Sequence, residues 1–160
     1  MKKLFYLLIF AASFLNAQYL IDDNDISENA RELGRLSIAY DLSNPMEFYR
    51  LKCENPTYAQ YPKGENGFKD ELLANVRGYL DTALYSVNGT FEVHFTVDKT
   101  GKIRNFSLKP EVPNSNLLQR DVELAIRQIN TKWNPATCNG TPVDSRVRQK
   151  VNFITEIFDI

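Results

Sequence analysis

The chain has 160 residues, with 19 Lys and Arg against 20 Asp and Glu, a formal net charge of −1. That length suits one domain with an extension, and it is enough to bury a core of Phe, Val, Leu and Ile without help from disulfides. The near balance of charge leaves no basic stripe, so electrostatic capture of nucleic acid or anionic lipid has no footprint here.

Met1-Lys2-Lys3 is followed by an apolar run from Leu4 to Leu15 and then by Asn16-Ala17-Gln18. A positive start, a short apolar stretch and a small residue at the cut are the layout of a secretory signal over residues 1–17. The run falls short of the about 20 apolar residues that span a bilayer. Leu15 stands at the −3 position, where a small residue is usual. The alternative is therefore an uncleaved anchor at the inner membrane, with the rest facing the periplasm. Cleavage removes Lys2 and Lys3 and no acid, leaving 17 bases against 20 acids. The expected product is an exported, periplasmic protein. It divides into an extension over residues 18–60 and a domain over 61–160.

Asp22, Asp23, Asn24 and Asp25 open the extension. They lack the Gly and the closing Glu of a calcium loop, so no metal is expected there. Ser27 is placed to cap a helix whose apolar residues Ala30, Leu33, Leu36 and Tyr40 recur at helical spacing. Ser43-Asn44-Pro45 ends it, because the residue before Pro leaves the helical region. Residues 45–64 are irregular, with Pro45, Pro56 and Pro62, and Tyr49, Tyr58 and Tyr61 between them. The stretch reads as a segment wrapped on the flank of a core, with a binding loop as the alternative. The cysteines are Cys53 and Cys138. In an exported chain an even count invites pairing, which here allows one connectivity. Two separate thiols are the other reading, and two Cys with one His make no zinc site.

After Gly67 a second helix carries Phe68, Leu72, Leu73, Val76 and Leu80 on one face. Phe91, Val93, Phe95 and Val97 then alternate with Glu92, His94 and Thr96, as in a strand with one buried face. Asp98-Lys99-Thr100-Gly101 fits a hairpin loop with Gly at a positive φ. The return strand, Lys102 to Leu108, breaks its alternation near Asn105, which predicts a bulge. A third helix runs from about Asn116 to Asn130 on Leu118, Val122, Ala125, Ile126 and Ile129. Trp133 is expected to cap the core where this helix meets the sheet. The last strand spans about Val143 to Ile157, with Val147, Val151 and Phe153 apolar and Arg146, Arg148 and Lys150 basic.

These segments resemble the C-terminal domain of TonB. The resemblance covers roughly residues 61–157. Its most specific part is Trp133-Asn134-Pro135-Ala136 followed by Asn139-Gly140-Thr141-Pro142-Val143, leading into Val151-Asn152-Phe153. Tyr61-Pro62-Lys63-Gly64 and the hairpin from Gly89 to Ile103 also match. The fold class it implies is α+β, a three-stranded antiparallel sheet with helices packed on one face. Here that domain follows an N-terminal helical extension. A full transducer of that family carries a membrane helix and a long Pro-rich linker; here the N-terminus reads as cleavable, and a short helical, Tyr-rich extension stands in the linker's place.

Two function classes follow, and beside them stands an energy transducer held at the membrane by an uncleaved N-terminal helix. In the first, the final strand is a bare sheet edge to which a partner's extended segment adds. Arg146, Val147, Arg148, Gln149, Lys150, Val151 and Asn152 would do the binding. The partner would be a TonB-dependent outer-membrane receptor or a related envelope protein, linking the chain to transport; a homodimer through the same edge is another use. In the second, His94, the single histidine, would serve a small periplasmic enzyme. No Gly-x-Ser-x-Gly nucleophile motif accompanies it, so the expectation is a non-enzyme without cofactor or metal.

Overall fold

The computed structural model describes residues 35–81 and 84–158. The expected signal over residues 1–17, the acidic cluster and the start of the N-terminal helix lie outside the described residues. The hairpin anticipated in the sequence is present. Its first strand, which we number β4 (Gly89–Val97), buries Phe91, Val93, Phe95 and Val97. β5 (Ile103–Lys109) returns beside it. His94 pairs with Ser107 but Thr96 with Arg104, so β5 carries one extra residue in that interval. This is the bulge, and Asn105 sits in it at φ 52°.

The turn between the strands is held by Asp98. Its backbone N–H donates to Lys102 O at 2.9 Å, and Gly101 N–H donates to Asp98 O at 2.8 Å. Its carboxylate accepts from the Thr100 hydroxyl and from the Arg104 guanidinium, and also from the N–H groups of Thr100 and Lys102. Those donors favour the charged form and hold the Asp98 pKa far below the usual carboxylate range. Gly101 has φ 79°, and a Cβ there would lie 2.1 Å from the carbonyl oxygen of Trp133. Only glycine meets both demands.

Two helices cover one face of the sheet. α1 (Gly64–Tyr79) starts four residues before Phe68, where the apolar stripe begins, and buries Phe68, Leu72 and Val76. α2 (Ser115–Arg127) buries Leu118, Val122, Ala125 and Ile126. Trp133 closes the layer: its ring centroid lies 5.0 Å from Phe68, 5.3 Å from Tyr61 and 5.8 Å from Phe95. Edge-on ring pairs of this kind add about 1 kcal/mol each to the gain from burial. Tyr61, one of the three tyrosines of the irregular stretch, is thus part of the core. Burial first, then the hydrogen bond its hydroxyl donates to Glu71, pushes its pKa up to about 12.

The last strand overturns two expectations. β8 (Ser145–Phe158) pairs with β4 on one side. On its other side it pairs with β1 (Arg35–Asp41) and β2 (Glu47–Phe48). The order is β1-β8-β4-β5 with β2 also on β8, a five-stranded sheet rather than three. β8 is therefore interior, and the bare edge expected at Arg146–Asn152 is covered by the chain itself. The helix expected across residues 35–41 is a strand. Leu36 and Tyr40 fit a helical spacing, but Leu36, Ile38 and Tyr40 also alternate, and the free side of β8 gave that alternation a partner. Asp144 separates β8 from the segment before it and accepts a bond from Lys99 N–H at 2.9 Å. The strand thus begins at Ser145 rather than Val143.

A second, small sheet runs β3 (Pro56–Thr57), β6 (Ala136–Cys138), β7 (Thr141–Val143). Asn139 and Gly140, both at positive φ (51° and 81°), make the tight turn between β6 and β7. Beside them Cys53 and Cys138 form the disulfide, with Cα atoms 5.9 Å apart. Among the described residues no helix is long and apolar enough to cross a membrane.

Candidate interaction edge

Residues 35–49 run antiparallel along the outer side of β8 as one interrupted strand. β1 covers Asn152–Phe158, and β2 covers Val147 and Arg148. Tyr49 N–H extends the second ladder by donating to Arg146 O at 3.0 Å. Between the two ladders, residues 149–151 of β8 have no strand partner on this side. Pro45 explains the interruption, because it has no N–H to offer a ladder. The five residues between β1 and β2 arch over the gap instead, burying Leu42 and Met46.

Gln149 fastens the arch. It points inward with the apolar phase of β8, fully buried, and its Nε2 donates to Asn44 O at 2.9 Å and to Lys150 O at 2.9 Å. Its Oε1 has no partner in the structure. Lys69 Nζ donates to Asn44 O at 2.7 Å, and Met46 N–H donates to Glu65 Oε1 at 2.8 Å, so α1 grips the same arch.

The outer face of the sheet beneath this segment is charged. Arg148 forms ion pairs with Glu92 on β4, at 3.1 Å, and with Glu47 on β2. That pairing, chiefly the hydrogen bond from Arg148, lowers the Glu47 pKa, and Glu47 in turn raises that of Arg148. Arg146 lies over the Tyr49 ring, 4.6 Å from its centroid. His94 is held on both ring nitrogens: Nε2 is 3.1 Å from Glu92 Oε2, and Nδ1 is 3.2 Å from the Tyr49 hydroxyl. Its side chain is tucked between β4 and the covering segment, not presented in a cleft with a nucleophile. No group of three or more His, Cys, Asp or Glu among the described residues could hold a metal ion.

All seven predicted binding residues, Arg146 to Asn152, thus lie on one strand segment, with alternate side chains inward. Val147, Gln149 and Val151 are buried, while Arg146 is exposed and Arg148, Lys150 and Asn152 are half-buried. Cys53 and Cys138 meet as predicted. Sequence reasoning missed Glu47, Tyr49 and Asn44. The one signal that pointed to them was Gln149, a polar residue in an apolar phase.

The domain is thus a small helix-covered sheet whose longest strand carries an interrupted, charged outer border. Residues 85–155 match the family described as the Gram-negative bacterial TonB protein C-terminal. This part of the chain, from just before β4 into β8, belongs to the TonB C-terminal domain family. No curated protein and no solved structure matches the chain.

Proposed function

We propose that the chain is a non-enzymatic interaction module of the periplasm that docks an extended segment of an envelope protein on β8. The partner is a TonB-dependent outer-membrane receptor, which links the chain to transport across that membrane. The observation that carries this reading is the gap at residues 149–151. It is a stretch of strand with no ladder partner on one side, bridged only by the arch, inside the segment that matches the family. Main-chain groups there favour an incoming strand for the same reason that strands pair at all, and Arg146, Arg148 and Lys150 favour an acidic one.

The test is a photo-reactive residue placed at Lys150 or, as a control, at Leu124, which is exposed on α2 away from the edge. In cells making the full chain, Lys150 gives an adduct with a receptor and Leu124 does not. Equal adduct yields at the two positions would overturn the docking site.

A further inference from the structure

The covering segment has the properties of a ligand as well as those of a structural part. It lies on β8 in antiparallel register, uses Tyr49 N–H to bond the strand, sets Glu47 against Arg148, and lays the Tyr49 ring under Arg146. Its ladder on this stretch is only the two residues of β2. Paired strands of that length are marginal in isolation, and exposed ion pairs add little. Removal of Glu47 leaves Arg146, Arg148 and Lys150 along one face of β8 with Glu92, which is ion-paired to Arg148, among them, a surface of net positive charge. The vacancy it leaves is therefore selective for a segment of matching chemistry.

Resting on the docking site proposed above, we infer that residues 44–49 are a built-in occupant of that site. The partner segment that displaces them is their mimic, with an acidic residue opposite Arg148 and an aromatic one under Arg146. The gap at residues 149–151 is where an incoming strand first pairs, and it then advances toward Arg146 by replacing β2 one bond at a time. The disulfide at Cys53 lies only a few residues beyond β2. It keeps the displaced segment nearby, so the segment re-binds at the high effective concentration of a short tether when the partner leaves.

The probe is a dye-labelled peptide with the sequence of residues 41–50, its binding to the full chain followed by fluorescence anisotropy. Tyr49→Pro removes the ladder N–H and the ring, while Glu47→Gln removes only the ion pair and keeps the fold testable if the Pro variant melts. Tyr49→Pro binds the peptide at least tenfold more tightly than the unaltered chain, and Glu47→Gln about threefold more tightly. Arg148→Glu added to either variant abolishes the gain, and a peptide carrying Lys in place of its Glu restores it. Equal affinity of the unaltered and loosened chains overturns the built-in occupant while leaving the docking site intact. No binding to any of them overturns the docking site and the inference together. A loosened chain that dimerises in light scattering, without taking up peptide, assigns the edge to a second copy and overturns the mimic.

Discussion

The two sides of β8 are built differently. Toward β4 every residue from Gly89 to Val97 has a partner in unbroken register, and the inward side chains enter the aromatic core under α1 and α2. Toward β1 and β2 the ladder is split by Pro45, and much of what holds its middle is side-chain chemistry: Gln149 to Asn44, Arg148 to Glu47, Arg146 on Tyr49. One border joins a nine-residue ladder to a buried aromatic core. The other joins a seven-residue ladder at β1 to a middle held in good part by polar side-chain contacts. On the reading proposed above, a strand interior by topology keeps one replaceable side.

The largest expected effect falls on the β4 side. Phe95 packs against Phe68 and Trp133 with almost no exposure, so Phe95→Ala should cost about 4 kcal/mol, as large-to-small core changes do. Urea unfolding measures it, and a loss under about 1 kcal/mol would mean that the core is not organised on these rings. Next comes the disulfide. The cysteines lie 85 positions apart, and the paired Ser variant should lose about 3 kcal/mol by release of the loop constraint. Amide exchange in that variant should rise at Tyr49 before it rises in β4; a uniform rise would erase the distinction between the two sides.

The smallest effect is a difference in acid response. Glu47 and Asp98 both have folded pKa values below their ordinary 4.5 and 3.8. Each therefore contributes stability that is full above the ordinary value and is lost as pH falls through the folded one. Asp98, with four donors in the hairpin, is displaced further than Glu47, whose main donor is Arg148. Protection at Tyr49 should fall at a higher pH than protection at Gly101, and Glu47→Gln should flatten the first change and leave the second. Simultaneous loss at both amides would contradict this order.

The parts of this arrangement that a reader could see in the sequence are local. The turn at Asp98–Gly101, the bulge at Asn105 and the stripe of α2 each depend on residues within a few positions of one another. The disulfide was legible for a different reason: two cysteines permit one pairing. β1 was not legible, because Leu36 and Tyr40 satisfy two periodicities and the choice is made by β8, more than a hundred residues away in the chain. β2 and β3, of two residues each, have no pattern of their own and exist only because a neighbour is present. The candidate site divides the same way. Its basic residues were visible as a run, whereas the segment that covers them was visible only in three dimensions.

The position of β8 within the sheet has a consequence for how the molecule is made. Among the described strands it is the last in chain order, yet it lies between β1 and β4, which come first and fourth. A nascent chain that has emerged as far as α2 holds both flanking strands with nothing to join them, so the hairpin and helices form early while the sheet waits for its keystone. Sheet closure is then a single late event over long sequence separations, the slow kind of contact formation. Before that event β1 and β2 have no surface to lie on.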